Sequence, residues 1–325
     1  MKVGHVLLAA LLGISGAAGQ TVLPPPHFHH LALNSSDPEA AIGFYIKEFP
    51  STSRATWQGM PALVSPSHVM IVFQKVAAPP VADPDTTAYW HFGWTAADSR
   101  ASLEVFRTQN LLVPFYTDDQ GGYVGICSDT YPYPPGVPGR TKAQIAEAVA
   151  QNLQPRRTGG NGYIFGPDHA IVEFTGNSPE RFDHVHMWQD DPLCAQLWYV
   201  RHLQATPRRG TMPAAPPENC KTARGPDPSW PSLNRNGTYR SPAGGVSFDD
   251  VAMNWYMNQT EKPLAPTIGH LMDHVSLSVS DLDAWTAKLK GEGVVFLRQS
   301  YRVGTVRAVM IEGPSHEAIE LIEEK

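Results

Sequence analysis

An α+β fold, built from four copies of one strand–helix–strands unit, is the class this sequence predicts. Three observations predict it. A His is followed seven residues later by an Asp four times: His30 and Asp37, His91 and Asp98, His184 and Asp191, His274 and Asp281. Between each His and its Asp, apolar residues alternate with small or polar ones, the mark of a half-buried strand. A third repeat closes two of the units. "GPDHAIVEF" begins at Gly166 and "GPSHEAIEL" at Gly313, and each sets a carboxylate, Glu173 or Glu320, among Ile, Val, Phe and Leu.

The elements follow in order. Leu31 and Leu33, Phe92 and Trp94, Val185 and Met187, and Val275 and Leu277 take one face of the four opening strands. The His residues share the other face with Ala32, Gly93, His186 and Ser276, because successive side chains alternate across a strand. Each Asp stands where a helix starts, as an N-cap that accepts from free backbone N–H groups. Pro38 and Pro192 follow at a position that suits the first helical turn. Amphipathic segments come next: "PEAAIGFYIKEF", "SRASLEVFRTQ", "PLCAQLWYVRHL" and "LDAWTAKLKGEG". Strand-like runs such as "HVMIVFQKV" and "VSFDDVAMNWYM" complete each unit with about three strands. The units fall at 27–76, 88–177, 181–258 and 268–325. The first two are expected to pair into a module over 20–178 and the last two into a module over 179–325. Segments 118–160 and 207–245 do not fit the unit and read as insertions.

Composition narrows the function. The chain has 325 residues, with 25 basic and 31 acidic side chains and a net charge of -6. No basic block resembles a nucleic-acid footprint, so a small-molecule partner is expected, with a homodimer left open. Residues 1–19 carry a short basic start, an apolar run and small residues, the pattern of a secretory signal peptide. A periplasmic or extracellular protein is expected, with no membrane segment once that peptide is cleaved. Cys127, Cys194 and Cys220 allow one disulfide at most. Asn34, Asn236 and Asn258 head N-x-Ser/Thr sequons.

Paired strand–helix–three-strand units, with His opening the first strand and Glu in the last, resemble the vicinal oxygen chelate superfamily. That group includes glyoxalases, bleomycin-resistance proteins and extradiol ring-cleaving dioxygenases. One departure is the closing hairpin, which in the family often reads Asp-Pro-x-Gly-Asn before the Glu. The resemblance implies two modules, each a curved, barrel-like mixed sheet with helices outside and a cavity within. It implies inward-facing metal ligands His30, His91 and Glu173 in one module, and His184, His274 and Glu320 in the other. The cofactor would be a divalent metal (Fe, Mn, Zn or Ni) that chelates a substrate through two adjacent oxygens, for ring cleavage or for isomerase or lyase chemistry. A non-catalytic ligand-binding protein of the same fold is the alternative. Val72 and Asn254 stand where the other two units would carry the Glu. His186 shares the inward face of its strand with His184, as a general acid/base or a hydrogen-bonding neighbour. Tyr256 and Tyr301 are site candidates or core residues. His169 and His316 precede the Glu residues at strand entrances, and His27 and His29 read as a flexible arm able to compete for metal.

Overall fold

The computed structural model describes residues 23–80, 87–112, 161–176, 178–208, 219–221, 243–258 and 263–324. The signal-peptide region, Cys127, Asn236 and nearly all of both insertions lie outside these residues.

Each unit forms as its sequence pattern dictates. The first runs β1 (His27–Ser35), α1 (Pro38–Glu48), β2 (Ser53–Trp57), β3 (Met60–Val64) and β4 (Met70–Lys75). The second has β5 (Tyr89–Thr95), α2 (Ser99–Thr108), β6 (Asn161–Phe165) and β7 (Ile171–Thr175). The third has β8 (Arg181–Gln189), α3 (Pro192–Leu203), β9 (Thr206–Pro207), β10 (Ala243–Phe248) and β11 (Val251–Met257). The fourth has β12 (Met272–Val279), α4 (Leu282–Gly291), β13 (Phe296–Val303), β14 (Val306–Glu312) and β15 (Ala318–Glu323). Asp37, Asp98, Asp191 and Asp281 all occupy N-cap positions. Asp37 accepts from the Ala40 N–H, Asp98 from those of Arg100 and Ala101, and Asp281 from that of Ala284, which satisfies donors the first helical turn leaves open. Cys194 and Cys220 form the one disulfide among the described residues.

The pairing of units differs from the expectation. Units one and four build one eight-stranded sheet, in the order β13-β14-β15-β12-β1-β4-β3-β2. Units two and three build a seven-stranded sheet, in the order β6-β7-β5-β8-β11-β10-β9. In every unit the first strand runs parallel to the last, and the sheets are joined at antiparallel seams, β1 with β12 and β5 with β8. Neither sheet closes into a barrel; each keeps two edge strands. The reason is that four opening strands of one pattern can pair edge to edge in any combination. Tyr45 of α1 and Phe49 just past its end stack on Trp94 of unit two, with ring centroids 5.7 and 4.3 Å apart, so units one and two meet through a helix face and not through a shared ladder. Leu31, Leu33, Phe92, Trp94, Val185, Met187, Val275 and Leu277 all lie in one continuous buried core, on the predicted face.

Candidate functional site

The His-bearing faces of the two sheets are concave, and each gathers a separate cluster. Side chains on directly paired residues of neighbouring strands project on the same side of a sheet. In the first sheet, register places His30 opposite Ser276, and Ser276 beside Glu320. His30 and Glu320 therefore meet over a small residue. His274, opposite Ala32, supplies the third group from the adjoining row. The second sheet repeats the plan. His184 lies opposite Gly93, Gly93 beside Glu173, and His91 opposite His186 in the adjoining row. Gly93 is required here. A Cβ at that position would stand 2.4 Å from Cε1 of His184 and 2.7 Å from the carbonyl oxygen of Glu173.

The first centre is thus His30, His274 and Glu320, and the second is His91, Glu173, His184 and His186. All six residues expected as metal ligands lie in these two clusters, but in a different partition: His30 joins His274 and Glu320, while His184 joins His91 and Glu173. The partition follows the sheet seams. The ladder also bears out the equivalence of Val72 and Asn254 with the two Glu positions, since they pair with Ala32 and His186 as Glu320 and Glu173 pair with Ser276 and Gly93. The centres differ at those places. Ala32 and Val72 keep the first apolar, and His186 and Asn254 make the second polar.

In the first centre Nε2 of His30 and Nε2 of His274 each lie 3.8 Å from Oε2 of Glu320. That is too long for a hydrogen bond. It suits ligands on bonds of about 2.1 Å, which stand about 3 Å apart at right angles and about 4.2 Å apart when opposed. In the second, Nε2 of His91 is 2.7 Å and Nε2 of His184 is 3.2 Å from Oε2 of Glu173. Nε2 of His184 is buried there with the Glu173 carboxylate beside it but no well-aligned hydrogen bond, a place that a cation could take once that nitrogen gives up its proton. Both donor sets, two or more imidazoles and one carboxylate in a buried pocket, fit a divalent ion.

Flanking groups fix the rings. Asp273 accepts from Nδ1 of His274 at 2.7 Å, and Asp183 from Nδ1 of His184 at 2.8 Å. Each bond turns Nε2 inward and makes that nitrogen a stronger donor. Asn34 donates to Asp273 at 3.1 Å and holds it in turn. This Asn is buried, as is Asn258, so neither sequon presents its side chain to a glycosylating enzyme. Tyr301 donates its hydroxyl proton to Oε1 of Glu320 at 2.6 Å, and Ser276 donates to Oε2 at 3.0 Å. The sequence carried a signal for the two Asp residues, "FDHVH" and "MDHVS" with Asp directly before His, which the reading of the repeats passed over.

The charges follow from these contacts. Burial raises the cost of an ionised Glu320, but His274 more than offsets it and holds the carboxyl down at about 2. Burial opposes a charged His274, and Asp273 with Glu320 outweighs it, raising the group to about 9. Burial likewise works against charge on His184, where Asp183 and Glu173 together push it up to about 10. His30 is shifted well below the ordinary imidazole range, chiefly by burial. Burial and the neighbouring Glu320 carboxylate raise Tyr301, so it keeps its proton.

His186 lies against the rings of His184 and His91, with centroids 4.3 and 4.6 Å away, but is held differently. Arg208 donates to Oδ1 of Asn254 at 3.0 Å, and Arg can only donate. The Asn254 amide nitrogen therefore faces Nε2 of His186, at 2.8 Å, and donates to it. A neutral His186 then carries its proton on Nδ1, 3.5 Å from Oε2 of Glu173, which suits a proton donor better than a metal ligand. Tyr256 packs edge-on against His186, with ring centroids 5.1 Å apart, and lines the same pocket. The remaining histidines lie elsewhere. His169 and His316 take left-handed turn positions, and His316 bonds Glu312 at 2.7 Å. His27 pairs with Asp249 at the surface. His29 is no flexible arm: it is buried against Trp57 and His30.

The first centre opens into a cavity of about 360 Å³ walled by Trp57, Met60, Val72, Val303 and Met310. The second opens into one of about 370 Å³ lined by Thr175, Arg208, Asn254 and Tyr256. No helix among the described residues is long and apolar enough to cross a membrane.

Comparison with known proteins agrees at the level of the fold. No protein-family model matches the chain, and no curated protein sequence matches it. Solved structures do. Glyoxalase I from Zea mays superposes with a TM-score of 0.56 at 12% identity, over 92% of this chain and 92% of that one. Its E144Q variant gives 0.55 at 11% identity, over 92% and 94%. A Bacillus subtilis protein provisionally called a dioxygenase gives 0.53 at 9% identity, over 92% and 85%. The resemblance to the vicinal oxygen chelate proteins that the His and Glu repeats carry therefore holds for the architecture, an α+β fold of two modules.

Proposed function

We propose that this protein is a divalent-metal-dependent enzyme of the vicinal oxygen chelate type, acting in its first centre on a small substrate with two adjacent oxygens. The observation that carries the reading is the convergence of His30, His274 and Glu320 on one cavity, lined by apolar side chains together with Gln74, Arg298 and Tyr301. Without metal the Glu320 carboxylate faces the charged His274 ring, and a divalent ion that displaces that ring's proton keeps the buried carboxylate paired. Three protein ligands leave coordination positions open for a chelating substrate. The ion, when bound, supplies Lewis-acid polarisation of the substrate oxygens.

The chain's own residues do the rest. His30, His274 and Glu320 hold the ion. Asp273 fixes the ring of His274, and the hydroxyls of Tyr301 and Ser276 orient the Glu320 carboxylate. Trp57, Met60, Val72 and Met310 exclude water and favour a substrate with an aromatic or alkyl body. In the second centre His186 is placed to hold or donate a proton at Nδ1.

Ring cleavage with dioxygen and isomerase or lyase chemistry are the two reaction classes this site suits. Elemental analysis of purified protein, followed by activity screens with catechols and with 2-oxoaldehydes, tests the reading. The expected result is one ion per centre, loss of one ion in Glu320→Gln, and turnover in one screen that disappears with that substitution. Protein that takes up no divalent ion at the first centre rejects the enzyme and favours a metal-free binding protein. We further propose export, which the Cys194–Cys220 disulfide supports because such bonds persist in oxidising compartments. A mature protein whose N-terminus still begins at Met1 contradicts it.

A further inference from the structure

The two centres are built on one plan, and the position before the first imidazole breaks it. His30 and His184 occupy equivalent places, each opposite the small residue beside the Glu. The residue before His184 is Asp183, which takes the Nδ1 proton of the ring directly. The residue before His30 is His29. Its Nδ1 lies 2.7 Å from Nδ1 of His30, and its Nε2 lies 3.0 Å from Oε1 of Glu324.

The directions of these bonds follow from one condition, a neutral His29. An ionised carboxylate only accepts, so Nε2 of His29 carries a proton and donates it to Glu324. The Nδ1 of a neutral His29 is then a lone pair, and it accepts from the Nδ1–H of His30. His30 is left with its lone pair on Nε2, the nitrogen 3.8 Å from Oε2 of Glu320. Trp57 holds both rings in this arrangement, with centroids 5.3 Å from His29 and 4.6 Å from His30.

We propose that His29 and Glu324 form a two-step relay that takes the place of Asp183, fixing His30 as an Nε2 ligand and carrying part of the bound ion's charge outward to a carboxylate at the surface. His29 is thus a positioning residue for the first centre. The inference rests on the reading of that centre as a metal site. It accounts for a buried imidazole that touches neither Glu320 nor the cavity, and it gives Glu324 a role that its place beyond the last strand does not suggest.

The test uses the full chain carrying Glu173→Gln and His184→Gln, which leave the second centre too few ligands to contribute, titrated with Co²⁺ and read by its visible absorption. His29→Leu is expected to weaken Co²⁺ binding about 10- to 100-fold, the usual effect of losing a ligand's outer partner. His29→Asp, which copies the Asp183 arrangement, is expected to bind Co²⁺ at least about threefold more tightly than His29→Leu. Thermal melts of both variants show whether the fold is intact. A His29→Leu affinity within threefold of the parent overturns the relay, as does a folded His29→Asp no tighter than His29→Leu. If the parent itself takes up no Co²⁺, the metal reading of the first centre fails instead.

Discussion

Replacing Gly93 by Ala should empty one centre and leave the other intact. Gly93 sits between Glu173 and His184 in the ladder, and those two side chains meet above it. A Cβ built there lies 2.6 Å from Nε2 of His184, where ordinary contact begins at 3.4 Å, and 2.7 Å from the carbonyl oxygen of Glu173. That carbonyl belongs to a strand paired on both sides and gives little, so the ring must retreat, by about 1 Å at its nearest atom, Cε1, which the Cβ meets at 2.4 Å. Metal–ligand distances tolerate about 0.2 Å. The His184 ligand is therefore lost to the second centre, while the overpacking costs the fold about 1–3 kcal/mol. The first centre lies on the other sheet and shares none of these atoms. Equilibrium dialysis against Zn²⁺ with elemental analysis should show two bound ions in the parent and one in Gly93→Ala. Glu320→Gln in the same background should then remove the second. A Gly93→Ala protein that still binds two ions at parental affinity refutes the geometry assigned to the second centre.

Two further outcomes follow from charge. His274 is held at about 9 without metal, so an ion entering the first centre must displace its proton, while Glu320, at about 2, is already ionised. Apparent affinity there should rise about tenfold per pH unit between pH 6 and 8, because one proton leaves per ion; calorimetry in buffers of different ionisation heat counts that proton, and none released contradicts the assignment. Glu317 lies fully buried below the sheet; burial raises it to about 7 despite bonds from the Tyr199 hydroxyl and the Ser315 N–H. Its protonated form is favoured in the fold, so its stabilising contribution is complete below the unfolded value of 4.5 and is lost as pH rises through 7. Urea unfolding of the parent against Glu317→Gln should show the variant gaining up to about 3 kcal/mol in relative stability from pH 5 to pH 8, and an unchanged difference contradicts the shift.

Much of this protein is written along its chain. Alternation in "HLALNSSD" and its three counterparts determined both faces of each opening strand, because side-chain direction on a strand follows from backbone geometry alone. The same holds for the Asp N-caps, for Glu173 and Glu320 among apolar neighbours, and for Val72 and Asn254 as the places where a carboxylate is missing. These are local facts, set within a few residues. Which centre a His serves is not local. His30 and His184 carry the same pattern, and only the β1–β12 and β5–β8 seams send one to Glu320 and the other to Glu173. On the opposite side of the sheets aromatic residues far apart in the chain, such as Phe49 and Trp94, pack together across the units. His29 shows the same limit from the other direction. Beside "PPP" it reads as a loose arm, and only the fold brings Glu324, at the far end of the chain, close enough to give that imidazole a partner.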